Sequence, residues 1–262
     1  KNLNAVEQLI KENADVKMIY IETPANPTID CYDIDALSAL CKKYNLLCAV
    51  DNTFATPYLQ QPFQYGVDFV MHSTTKFLNG HGNALGGVLL YHDSERWHKK
   101  IFATKKLLGN NSNAFDAWML AQGMKTLELR MNRHCENAVL FAQHFSSHQK
   151  ILKLNYCGLE SHPDYSLAKK QMRMFGSMLS FDLKGGIPSA IGLMKNLKIA
   201  TLAVSLGTVD TIVQHPATMS HLNVAKEQRE KYGITDGLIR VSIGIENIND
   251  IINDFEQALE KC

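Results

Sequence analysis

The chain has 262 residues, enough to bury a sizeable core and to build two domains. Its 27 basic and 26 acidic residues nearly cancel, which argues against a nucleic-acid or membrane-surface binder. Six cysteines without a CxxC pair read as reduced thiols of a cytoplasmic protein, not as a disulfide framework or zinc site. No apolar run approaches the ~18 residues of a membrane span, and the start lacks a signal-peptide pattern. The first residue is Lys1, and the opening already reads as an amphipathic helix, so the chain is expected to be the later part of a longer protein.

Leu3, Val6, Leu9 and Ile10 fall on one helical face. Residues 16–21 form a short strand rich in branched and aromatic side chains, stopped by Pro24 and Pro27. Asp33 caps a helix whose buried stripe is Ile34, Leu37, Cys41 and Tyr44. The apolar run 46–50 ends at Asp51, and such continuous runs suit parallel strands covered on both faces. A short helix or turn over 57–65 leads to a strand over 67–72. Three strands separated by helix-compatible segments predict βαβ units and a parallel sheet, with a further, antiparallel strand over 86–91.

From Trp97 the texture changes. A basic stretch through Lys99, Lys100, Lys105 and Lys106 is followed by helical stretches over 114–127 and 130–148, readable as one bent helix. Strands are expected over 151–156, 177–183 and 238–245. Alternation of Leu179, Phe181 and Leu183 with Ser180 and Asp182 predicts a sheet with one wet face. The last helix carries Ile248, Ile251, Ile252, Phe255 and Leu259 on one side. The domain boundary is placed near residue 127.

Chemistry concentrates at strand ends, where open parallel sheets bind ligands. Asp51 closes one strand. Ser73, Thr75 and Lys76 follow the next, with Phe77 and Leu78 able to desolvate the lysine and lower its pKa. A surface lysine with its stem over apolar neighbours is the alternative, and Asp51 could equally cap a turn. Together the amine and the carboxylate suit pyridoxal phosphate, which needs a Schiff-base lysine and an anion at its pyridine nitrogen. Ser73 and Thr75 can hold phosphate oxygens or make ordinary turn bonds. Arg240, inside an apolar strand, needs an anionic partner: a ligand carboxylate or a structural ion pair. The GxGxxxG spacing from Gly80 to Gly86 is followed by strand-like GGVLLY, where a dinucleotide site requires a helix. The ten histidines show no metal spacing, and His72, His81 and His134 read as structural.

The ordered segments Glu22-Thr23-Pro24-Ala25-Asn26-Pro27, Val50-Asp51-Asn52-Thr53-Phe54-Ala55-Thr56-Pro57 and His72-Ser73-Thr74-Thr75-Lys76-Phe77 resemble the Cys/Met-metabolism (trans-sulfuration) pyridoxal-phosphate enzymes. Ser205-Leu206-Gly207, His215-Pro216-Ala217 and Gly237-Leu238-Ile239-Arg240 continue the likeness through the whole chain, most closely to methionine γ-lyases. The resemblance implies an α/β fold of the aspartate-aminotransferase type (fold type I). Residues 1–127 would be the C-terminal part of the cofactor domain and 128–262 a smaller C-terminal α/β domain. It implies Lys76 as Schiff-base lysine and proton carrier, Asp51 as pyridinium partner, and Ser73 and Thr75 at the phosphate. Asn26 would touch the ring hydroxyl and substrate carboxylate, and Thr53 would lie against the cofactor. Arg240 and Ser205 would grip the substrate carboxylate. Val204, where cystathionine γ-lyases tend to carry glutamate, suits a thioether. Lys105-Lys106 stands where a Lys-Asp pair is expected, and Cys157 replaces an expected proline. A homotetramer and α,γ-elimination of L-methionine are implied. Cystathionine γ-lyase, cystathionine γ-synthase and O-acetylhomoserine sulfhydrylase are the alternatives within the family. A non-catalytic assembly module with an incomplete site is the alternative outside it.

Overall fold

A computed structural model describes residues 1–262. Two sheets organise the chain: one of four strands in the first half and one of five in the second. The first half runs α1 (Leu3–Glu12), β1 (Met18–Glu22), α2 (Ile34–Lys43), β2 (Leu47–Asp51), α3 (Thr56–Leu59), β3 (Phe69–Ser73) and β4 (Gly87–Tyr91). Strand order follows chain order. β1, β2 and β3 are parallel, and β4 returns antiparallel to β3, as the sequence predicts. The Asp33 side chain accepts the Ala36 N–H at 3.0 Å, and the stripe of α2 closes on Cys48, Val50 and Val70.

Register fixes what lies at the sheet's functional edge. Glu22 is opposite Asp51, and Asp51 is opposite Met71, two residues before Ser73. Because side chains alternate along strands, Glu22, Asp51 and Ser73 share one face.

The second half contains α4 (Ser94–Leu108), α5 (Ala114–Met124), α6 (Leu127–Phe145), β5 (Ile151–Asn155), α7 (Tyr165–Gln171), β6 (Met178–Leu183), α8 (Gly186–Asn196), β7 (Thr201–Leu202), β8 (Ile212–Gln214), α9 (Lys226–Lys231), β9 (Leu238–Ser242) and α10 (Ile248–Glu260). Its sheet has the order β5-β6-β9-β8-β7. An aromatic nucleus of Phe141 and Phe145 from α6, Phe181 from β6 and Phe255 from α10 packs on one face. Asp254 of α10 accepts the backbone N–H groups of Lys198, Ile199 and Ala200 at 2.7–3.0 Å. This fixes the turn into β7 and the loop that carries Val204 and Ser205. A further cluster, including Phe54, Phe77, Met131, Met178 and Leu206, joins the two halves beneath the site.

One expectation needs correction, and two features that the sequence leaves open are decided. Ser180 is buried, so β6 has no wet face at that position: it pairs with Arg240 across the sheet and its Oγ accepts from Asn155 Nδ2. The two helical stretches are separate helices, Ala114–Met124 and Leu127–Phe145, parted at Lys125–Thr126, and not one bent helix. The basic stretch after Trp97 is a full helix, α4, capped by Asp93. No residue of α4 is buried, so its pattern lacks the apolar stripe that reveals a core helix. Phe102, Leu107 and Leu108 on α4 and Val88, Leu89 and Leu90 on β4 are exposed. No helix is long and apolar enough to cross a membrane.

Phe255 is fully buried and meets Phe141 edge-on at 4.8 Å between ring centroids. Phe255→Ala should lower unfolding free energy by about 3–5 kcal/mol, read as a lower urea midpoint at unchanged slope.

Candidate active site

The lysine sits on an interruption of regular structure. Immediately after β3 the chain makes one wide helical turn over Thr74–Leu78, and Lys76 within it has a non-helical backbone (φ −90°, ψ −137°). This leaves carbonyls of the turn without helical partners. Arg130, 5 % exposed on α6, supplies them: its guanidinium donates to the carbonyls of Phe77 (2.8 Å), Leu78 (3.3 Å) and Gly123 (2.8 Å), and to Thr126 Oγ1 (3.1 Å). Gly80 makes room, since a Cβ there would lie 2.1 Å from the Arg130 guanidinium. Neither role is visible in the sequence, where Arg130 reads as an ordinary charge on a helix.

The Lys76 ammonium donates to Ser205 Oγ at 3.1 Å. Burial lowers its pKa, and the Arg240 cation lowers it further, so more of the amine is neutral and nucleophilic than in free lysine. Ser205 arrives on the loop after β7, which is pressed onto the lysine turn at Gly207. With φ +74°, that residue has a Cβ position only 2.8 Å from the Phe77 nitrogen, which only glycine tolerates without a shift. The loop is held from the other side as Gly207 N–H donates to Ser242 Oγ at 2.8 Å.

Asp51, at the end of β2, belongs to a chain of bonds that reaches the lysine segment. Its Oδ1 accepts the Thr53 N–H at 2.9 Å and the Thr53 hydroxyl at 2.5 Å. The Thr53 oxygen in turn accepts the Ser73 N–H at 2.8 Å. Oδ2 accepts from the Tyr20 hydroxyl at 3.3 Å, and that phenol is pushed up to about 12 by burial and by the Asp51 charge. Tyr20 was not legible as a site neighbour, because register alone puts it on the face of Asp51. The Ser73 side chain is half-buried at the same edge. The Thr75 hydroxyl bonds the backbone of Gly86, accepting its N–H at 3.0 Å.

Arg240 is 2 % exposed in β9. It donates to Ser205 O (2.8 Å), Val204 O (3.3 Å) and Asn26 Oδ1 (3.2 Å), and its Nε–H has no protein acceptor. Burial pulls the guanidinium down to about 10, against the pull of Glu22 upward. The structure therefore brings Asn26, Val204 and Ser205 to Arg240 and Ser205 to Lys76, while Thr53 and Ser73 gather at Asp51. The Val204 side chain itself points into solvent, 62 % exposed. His134 is buried and neutral, pushed down to about 4 mainly by burial; its Nδ1–H donates to Ile243 O at 2.6 Å and its ring stands edge-on to Phe77.

An amine of lowered pKa, a carboxylate at the end of the adjacent strand, hydroxyls between them and a guanidinium with an unpaired N–H form a donor set that fits pyridoxal 5′-phosphate and an amino acid. The profile of the Cys/Met metabolism PLP-dependent enzymes matches residues 1–260, and the chain belongs to this family, whose cofactor is pyridoxal 5′-phosphate. It is 47% identical over 261 residues to an L-methionine gamma-lyase of Fusobacterium nucleatum subsp. polymorphum, covering 99% of this chain and 66% of that protein. A cystathionine beta-lyase of Coxiella burnetii is 42% identical over 246 residues, 94% of this chain and 64% of that one. Among solved structures, a cystathionine gamma-lyase from Lactobacillus plantarum complexed with L-serine superposes with TM-score 0.95 at 38% identity. The match covers 99% of this chain and 67% of that one. The fold is thus that of the fold type I enzymes of trans-sulfuration, and the chain spans about two thirds of the length of the curated relatives it matches.

Arg130→Met should destabilise the chain by about 3 kcal/mol, because buried carbonyls lose their donor. Arg130→Lys should recover only part of this in urea unfolding, since one ammonium cannot span the same acceptors.

Proposed function

We propose that the chain acts in a pyridoxal-phosphate-dependent carbon–sulfur lyase whose reaction is α,γ-elimination of L-methionine to methanethiol, 2-oxobutanoate and ammonia. The single observation that carries the reading is the Lys76–Ser205–Arg240 cluster, which joins a depressed-pKa amine to a carboxylate-binding guanidinium. Residues 1–127 would bind the cofactor, and 128–262 would form the smaller domain.

In this reading Lys76, Asp51, Ser73, Thr75, Asn26 and Thr53 hold the cofactor, which when bound supplies an electron sink for charge developing beside the substrate nitrogen. Arg240 grips the substrate α-carboxylate with Asn26 and Ser205. That contact orients the α-hydrogen toward the lysine and offsets charge that burial would otherwise penalise. Lys76 takes a proton at the α-carbon and manages proton loss at the β-carbon. Burial and the Arg240 cation lower its pKa, which raises the share of free amine, and the Ser205 hydroxyl accepts from the ammonium form. Asp51, fixed by Thr53 and Tyr20, places a carboxylate at the far end of the site. Val204 meets Arg240 through its backbone carbonyl, and its exposed apolar side chain would have to be covered by the substrate to favour a thioether over a second amino-acid head.

Support for methionine comes from the relative named L-methionine gamma-lyase. The relative named cystathionine beta-lyase and the solved cystathionine gamma-lyase favour a second reading, with cystathionine as substrate. The exposed apolar residues of β4 and α4 suit a face covered on assembly, as in a homotetramer, and equally suit an assembly module without turnover.

Incubation of the protein with pyridoxal 5′-phosphate and methionine should release methanethiol and 2-oxobutanoate. Release from cystathionine alone would transfer the assignment to the second reading. Borohydride should fix the cofactor to Lys76, and Lys76→Ala should lower turnover by about a thousand-fold or more; label on another lysine would overturn the role of Lys76.

A further inference from the structure

Two carboxylates end neighbouring strands of the first sheet. β1 and β2 are parallel and in register, so Glu22 lies directly opposite Asp51 with both side chains on one face. Asp51 is occupied by Thr53 and Tyr20. Glu22 faces the other way along the site: its Oε1 accepts the backbone N–H of Asn26 at 3.2 Å, and the same Asn26 offers its side-chain oxygen to Arg240. Glu22 thus stands between the anion at one end of the site and the guanidinium at the other, one residue removed from direct contact with the latter.

The charged and titratable groups facing Glu22 are Asp51 on β2, Arg240 on β9, Tyr20 on its own strand and Tyr32 beyond the Asn26 turn. Burial, then repulsion from Asp51, pushes the Glu22 carboxyl up to about 7. The Asn26 N–H and the Arg240 cation pull it back. The hydrogen bond from Asn26 needs only one carboxyl oxygen, so the turn is held whether or not the other oxygen carries a proton. What changes on ionisation is the charge that Arg240 sees.

We propose that Glu22 is a positioning residue whose proton governs carboxylate capture by Arg240. Neutral, it leaves Arg240 to the carboxylate of an amino acid and leaves Asp51 as the anion of the sheet edge. Ionised, it partly satisfies the guanidinium and repels both Asp51 and the incoming carboxylate. The second half of this statement rests on the proposed amino-acid-binding role of Arg240; the ionisation of Glu22 does not.

Carboxyl-¹³C labelling of the glutamates gives a readout that needs neither cofactor nor turnover. One resonance should titrate near pH 7 and be missing in Glu22→Gln. Asp51→Asn should lower its midpoint by removing a like charge, and Arg240→Met should raise it by removing a cation. If Glu22→Gln fails to fold, through-bond assignment in the unmodified chain identifies the same resonance. With pyridoxal 5′-phosphate and methionine, the ratio of KM between unmodified protein and Glu22→Gln should rise several-fold from about pH 6 to about pH 8, while the kcat ratio stays level. A merely structural role would leave the KM ratio independent of pH. The proposal is overturned if Glu22 titrates in the ordinary carboxylate range, if its midpoint ignores both substitutions, or if the KM ratio is flat. Absence of turnover with methionine and with cystathionine would count against the proposed function, and the resonance would still decide the ionisation of Glu22.

Discussion

Arg240 is a cation with almost no access to water, and the surrounding architecture answers to that constraint. A buried guanidinium must have its donors met, because desolvation of a charge costs several kcal/mol when it is left unpaired. Here the acceptors come from the turn after β1 and from the loop after β7, so one side chain ties the two sheets together. The loop it holds also presents Ser205 to Lys76, and its Gly207 packs against Phe77. Satisfying one arginine therefore places the lysine's partner.

A second buried guanidinium works by the same rule on a different problem. The turn at Lys76 abandons helical geometry and strands its carbonyls, and Arg130 collects them. Burial and the Arg240 cation lower the pKa of the lysine, while the carboxyl groups of Asp51 and Glu22 stand side by side at the neighbouring strand ends. The site is thus polarised along its length before any ligand enters, an arrangement that costs stability and is common where chemistry is done.

Much of this was legible in order along the chain. Continuous apolar runs marked β2 and β3, and because the sheet is parallel, their C-terminal residues Asp51 and Ser73 had to emerge at one edge. The lysine next to Phe77 and the arginine inside an apolar strand were each conspicuous for breaking their local pattern. Less legible were residues whose surroundings come from elsewhere in the chain. Ser180 looked solvent-facing by alternation, yet it lies across from Arg240 in a strand covered on both faces. α4 carries its apolar residues on the surface, so no buried stripe announced it.

By itself the sequence determined which residue types could carry the chemistry and the strand ends where they would stand, since periodicity, strand-ending residues and family motifs are local properties. Only the tertiary structure decided the partners. That Lys76 meets Ser205, that Arg240 reaches Asn26, that Tyr20 reaches Asp51 and that Glu22 shares its edge all depend on register and on loops brought together from distant positions. Electrostatic environment falls off over a few ångströms, so it is set by neighbours in space, and those neighbours are chosen by packing.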